Sequence, residues 1–124
     1  MRPLQFVILR HENIPEPHND LMFETLPGSQ LATWRAEWWP IERRVALTRL
    51  RDHRRAYLDF QGEIPGHRGM VYQVARGTCE VEIGENATWS IRLLTGMPPQ
   101  VLVIRQIDGE NWEGAPGRND DHSI

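Results

Sequence analysis

The sequence predicts an all-β fold, mainly antiparallel, drawn into a single closed or nearly closed β-barrel of about eight strands with short helical or loop elements. Three observations lead there. Short runs rich in β-branched and aromatic residues recur along the chain, with Gly/Pro-rich breaks between them. In the second half, apolar residues fall at period two: Cys79, Val81 and Ile83 in one run, Trp89, Ile91 and Leu93 in the next. The breaks there are short (ARGT, GENA, TGMPPQ) and suit hairpins rather than crossovers. About eight or nine short strands in so small a domain would leave many edges, and closure removes them.

The elements follow in order. Leu4–Leu9 is a strand of apolar β-formers, halted by charge and then by Pro15 and Pro17. Asp20–Leu26 is the next strand, and Pro27–Ser29 is a turn. Leu31–Trp39 reads as a strand with an aromatic end before Pro40. Val45–Leu50 suits strand or helix, Arg55–Phe60 alternates, and Gly62–Gly69 is a loop. Four strand-like runs complete the set: MVYQVA, CEVEI, WSIRLL and VLVIRQI. After Trp112 the chain turns polar and Gly/Pro-rich, so residues 1–115 are expected to form the barrel and 116–124 a flexible tail. The five tryptophans are assigned to the core and the barrel ends, with base stacking open to Trp38 or Trp39.

At 124 residues, with 40% hydrophobic and 25% charged, the chain suits one soluble domain with one core. No apolar run approaches the roughly 20 residues that span a bilayer, and the N-terminal run is short for a signal peptide, so a cytoplasmic protein with no membrane partner is expected. Cys79 stands alone, which excludes an intrachain disulfide and a Cys-based zinc site and makes it a small buried hydrophobe. The net charge of −3 argues against broad binding to duplex. All 14 basic residues are arginine, and six of them crowd Ile41–Arg55 against only Glu42 and Asp52. That segment is either a local phosphate footprint or a solvated strand face.

Two constellations could carry chemistry. If Leu4–Leu9 and Asp20–Leu26 pair as a hairpin, the stretch RHENIPEPHND brings His11 and His18 together, and His18 and Asp20 share a face. Two imidazoles and a carboxylate can hold Mn²⁺, Zn²⁺ or another divalent metal and leave positions for water and substrate; equally, such residues can be ordinary loop polarity. In RDHRRAYLDF, extended chain would set His53, Arg55 and Tyr57 on one side, a set able to grip phosphate and donate a proton. The competing reading packs Tyr57 in the core and has His53 open a turn. His67 and His122 are assigned no role.

The succession R-H (Arg10–His11), H-N-D (His18–Asp20), Glu24, T-W (Thr33–Trp34) and D-H-R-R-A-Y-L-D-F-Q-G-E-I-P-G (Asp52–Gly66) resembles the 3′-phosphoesterase domain of bacterial DNA ligase D. The likeness runs over roughly residues 5–112 and suits a free-standing, divergent branch. It implies a β-barrel and Mn²⁺-dependent repair of DNA or RNA–DNA 3′ ends, by removal of a terminal ribonucleoside and a 3′-phosphate, with a separate DNA ligase or polymerase as a further partner. By matching position, His11, His18 and Asp20 become metal ligands, His53 contacts or protonates the phosphate, and Tyr57 supports it. The chain also departs from the pattern. Six residues, two of them proline, separate His11 from His18, one more than is usual. Met22 stands where the family carries a phosphate-holding arginine, and the region of Trp38 lacks its lysine. Arg44 matches a family arginine with a one-residue shift. Arg10, Arg44 and Arg55 are the expected substrate-binding residues, with Arg49 and Arg54 further substitutes for the missing clamp.

Overall fold

The computed structural model describes residues 3–98 and 100–118. Among these the order is β1 (Leu4–Glu12), β2 (His18–Glu24), β3 (Leu31–Ala36), β4 (Val45–His53), a 3₁₀ turn (Arg55–Leu58), β5 (Gly62–Glu63), β6 (Met70–Ile83), β7 (Thr88–Leu93), β8 (Gln100–Asp108) and β9 (Asn111–Pro116). Every pairing is antiparallel, in the spatial order β1-β2-β3-β4-β9-β8-β7-β6, and β6 returns to β1. Eight strands thus close the expected barrel, and β5 adds two residues to β6 outside the ring. No helix among the described residues is long and apolar enough to cross a membrane.

Three local expectations are corrected, and one left open between strand and helix is decided. Val45–Leu50 belongs to a strand. MVYQVA and CEVEI are one strand of 14 residues, with ARGT inside it. Gly77 reads as turn punctuation but serves close packing: a Cβ there would lie 2.1 Å from the Thr95 carbonyl oxygen. Arg55–Leu58 coils into the 3₁₀ turn, so the shared strand face expected for His53, Arg55 and Tyr57 does not form. At the far end β9 runs to Pro116 and Gly117 N–H donates to Val101 O at 2.7 Å, so strand pairing enters the stretch expected as tail. Residues 119–124 of that stretch, with His122, lie outside the described residues.

Strand alternation builds two apolar layers. Inside the barrel, Phe6, Ile8, Leu21, Phe23 and Trp34 meet Ile91, Leu102 and Ile104 from the opposite wall. Trp34 is the hub, with ring centroids 4.9 Å from Trp89, 5.4 Å from Trp112 and 6.1 Å from Phe23. Each such side chain contributes about 1.5–3 kcal/mol by leaving water. The Arg49 guanidinium lies 4.4 Å from the Trp34 centroid, and burial lowers its pKa against the opposing charge of Asp52. Trp39 is partly buried against this core, whereas Trp38 is exposed.

The second layer lies outside the barrel wall. Val7, Leu9, Met22, Leu31 and Val71 point outward, and Leu58, Tyr57, Phe60 and Ile64 cover them. This lid explains why FVIL is a continuous apolar run: β1 is buried on both faces at its centre. All seven residues of β2 are buried, His18 and Asp20 included.

Cys79 is fully buried in β6, as expected. Burial, with the charges of Glu24 and Glu80 adding to it, pushes its thiol up to about 12. At pH 8 only about one thiol in ten thousand is then ionised, and the thiolate is the reacting form. The native protein should therefore resist iodoacetamide for hours and react fully once unfolded in guanidinium chloride. Fast native labelling would show that β6 opens.

Candidate metal centre

The β1–β2 hairpin pairs His11 with His18 and Leu9 with Asp20, which sets His11, His18 and Asp20 on one face beside the turn. The imidazole centroids are 5.1 Å apart, edge to face. One ligand atom from each of the three residues lies within 4.8 Å of the others, the one such group of metal-binding side chains among the described residues. His18 and Asp20 are buried and His11 is partly exposed, so the cluster is open on one side.

Backbone carbonyls orient both rings. His11 Nε2 meets Arg68 O at 2.7 Å, and His18 Nδ1 meets Glu16 O at 2.9 Å. A carbonyl accepts only, so each of these nitrogens carries the proton and the other ring nitrogen keeps its lone pair. An outer partner of this kind is what fixes the tautomer of a metal-ligating histidine. Gly69 makes the first contact possible. Its φ of +93° suits glycine, and a Cβ there would lie 2.4 Å from Glu12 O and 3.0 Å from His11 Nε2.

His18 Nε2 and Asp20 Oδ1 are both buried without a hydrogen-bond partner. Each such orphan costs about 1–3 kcal/mol. A His18–Asp20 ion pair does not answer it, because Nε2 and Oδ2 stand 3.5 Å apart, beyond the length of a charge-assisted hydrogen bond. One ligand atom from each of His11, His18 and Asp20 gathered within 4.8 Å, with His18 Nε2 lacking a hydrogen bond, fits a divalent cation. Two imidazoles with one carboxylate suit Mn²⁺ or Zn²⁺.

The second constellation forms by another route than the one expected. A register shift between Leu31 and Thr33 of β3 sets His53 opposite Leu31, an outward-facing residue. The 3₁₀ turn then brings Tyr57 back onto it, with centroids 5.4 Å apart, while His53 Nδ1 donates to Arg51 O at 2.9 Å and Nε2 keeps its lone pair. His53 therefore shares the outer face with the His/Asp cluster, its row four residues further along β2, about 13 Å of strand.

The three expected substrate arginines are placed elsewhere. Arg10 lies on the opposite face of β1 from His11 and pairs with Glu12. Arg44 reaches Glu113 of β9 at 3.8 Å. Arg55 is bound to the buried carboxylate of Glu24 and to Ser29 O. Met22 is 1% exposed, packed in the outer apolar layer. The residue that does stand at the cluster is Arg35, opposite Asp20 in the β2–β3 register, with Nε 3.8 Å from Asp20 Oδ1. Its one sequence signal was alternation, since an inward Trp34 turns Arg35 outward.

Compared with known protein families and with curated proteins, the chain matches no family model and no curated relative.

Proposed function

We propose that the chain is a metal-dependent phosphoesterase acting on nucleic-acid 3′ ends, removing a 3′-phosphate or a 3′-ribonucleotide. The observation that carries this reading is the convergence of His11, His18 and Asp20, with His18 Nε2 and Asp20 Oδ1 buried and without hydrogen-bond partners among the described residues. These residues would hold Mn²⁺, or Zn²⁺ or another divalent metal, which supplies a Lewis acid for a phosphoryl group when bound. His53, with Nδ1 held by Arg51 O, keeps Nε2 for a hydrogen bond to a substrate oxygen away from the metal, while Tyr57 packs edge-on against the ring. Two polar clusters on one face suit an extended substrate, as a nucleic-acid end is. The resemblance to the DNA ligase D phosphoesterase domain supports the same substrate class. Cooperation with a DNA ligase or polymerase, and residence in the cytoplasm, belong to this proposal.

A 5′-labelled primer–template ending in a 3′-phosphate should be converted to the 3′-hydroxyl with Mn²⁺ and not with EDTA. In His53→Ala, KM for the primer–template should rise while kcat changes less, because His53 stands about 13 Å along the strands from Asp20 and would grip the substrate away from the metal, with Mn²⁺ affinity unchanged. No conversion by the metal-loaded wild type would overturn the enzyme reading. It would favour a metal-bearing module that binds nucleic-acid ends or a repair partner without turnover. The burial of Met22 in the apolar layer, where the resemblance places an arginine, is the observation on that side.

A further inference from the structure

Beside the His/Asp cluster an open groove of ≈ 550 Å³ runs across β3 and β4, bordered by Glu16, His18, Arg35, Glu37 and Thr48. Arg35 projects into it half-exposed and makes no hydrogen bond to any described residue. Among the described residues its one charged neighbour at ion-pair range is Asp20, at 3.8 Å, and Asp20 Oδ1 remains without a hydrogen bond. For stability alone this placement gains little, since a pair so exposed contributes about 0–1 kcal/mol. For a metal site it is unfavourable, because a fixed cation next to a ligand carboxylate repels the incoming ion. A guanidinium there has a physical reason once a second anion enters the groove.

From this geometry we infer that Arg35 is a substrate-gripping residue whose free N–H fork holds the tetrahedral oxyanion of a phosphoryl group beside the metal cluster. The inference rests on the phosphoesterase reading and supplies its missing cationic clamp. The guanidinium fork fits phosphate oxygens two at a time. Met22, on the same face of β2 and one row further on, is sealed in the apolar layer and offers no donor. Charge then dictates order of binding. Around the groove, Glu16, Asp20 and Glu37 set three carboxylates against the single Arg35 guanidinium. Metal-free, the groove repels an anion; with a divalent cation on His11, His18 and Asp20 the excess is cancelled. Phosphate binding is therefore conditional on metal.

Isothermal titration with inorganic phosphate, on the full chain with and without saturating Mn²⁺, tests this. Wild type should bind phosphate only when metal-loaded. Arg35→Gln should weaken that binding about tenfold or more, and Arg35→Lys by less, because lysine keeps the charge and loses the fork. Mn²⁺ affinity of Arg35→Gln, titrated without phosphate, should equal or exceed that of wild type. Unchanged phosphate affinity in Arg35→Gln would overturn the inference and leave Arg35 a surface ion pair. Weakened Mn²⁺ binding in that variant would also overturn it, by showing that Arg35 acts through Asp20. These outcomes are separate from the primer assay: a wild type that converts 3′-phosphate while Arg35→Gln binds phosphate normally sinks the Arg35 role alone.

Discussion

Replacing His18 with alanine should abolish divalent-metal binding and turnover together while leaving the barrel folded. His18 is 6% exposed at the end of the hairpin, and its Nε2 has no hydrogen-bond partner among the described residues. Removing a buried orphan acceptor offsets part of the packing lost with the ring. The metal-free melting temperature should thus move by only a few degrees. Metal affinity answers differently. Loss of an outer hydrogen-bond partner of a ligand costs about 10–100-fold in affinity, and loss of the ligand itself exceeds that. In wild type, Mn²⁺ at a hundredfold excess over Kd stabilises by about 2.7 kcal/mol. For a domain of this size that raises the melting temperature by roughly 10 °C. Thermal unfolding with and without Mn²⁺ reads this directly. The rise should be present in wild type and absent in His18→Ala. A wild type without the rise, or a variant that keeps it, would remove the metal from the site.

How far the fold and site were legible follows from the range over which each feature is encoded. The barrel was legible because alternation is local: Trp89, Ile91 and Leu93 declare an inward face within six residues. The His/Asp cluster was legible for the same reason, since a single hairpin turn brings His11 to His18. Gly77 misled because a glycine needed for close approach looks in sequence like one needed for a turn. RAYLDF misled because its alternation belongs to a 3₁₀ turn that caps an apolar layer outside the barrel. Neither the place of Arg35 beside Asp20 nor the pairing of Arg55 with Glu24 could be read locally. Arg35 owes its place to the register of β2 on β3, and Arg55 to a partner 31 residues away. A local window also cannot reveal β9, whose partners β4 and β8 must curve round before Asn111–Pro116 has neighbours on both sides.

Arg55→Ala should be a stability variant, not a binding variant, with a loss of about 2–3 kcal/mol. Glu24 is 0% exposed on β2, accepting N–H from Gln5 at 2.7 Å and from Gly28 at 2.9 Å, with Arg55 Nη1 on its second oxygen. Removing one partner of a buried pair leaves the other charge less compensated, at about 3–5 kcal/mol when both are enclosed. Arg55 is 37% exposed, so water partly replaces it and the lower figure applies. The same guanidinium donates to Ser29 O at 3.1 Å, tying the end of the Pro27–Ser29 turn to the 3₁₀ segment. Its loss should loosen the support under Tyr57 as well. Urea unfolding should show a lower midpoint with an unchanged slope. Pairing the change with Glu24→Gln should recover part of the loss, because the amide oxygen still accepts a backbone N–H and no buried charge remains. Phosphate affinity of the folded, metal-loaded Arg55→Ala protein should match wild type. Normal stability with weakened phosphate binding would instead return Arg55 to the substrate and detach it from Glu24.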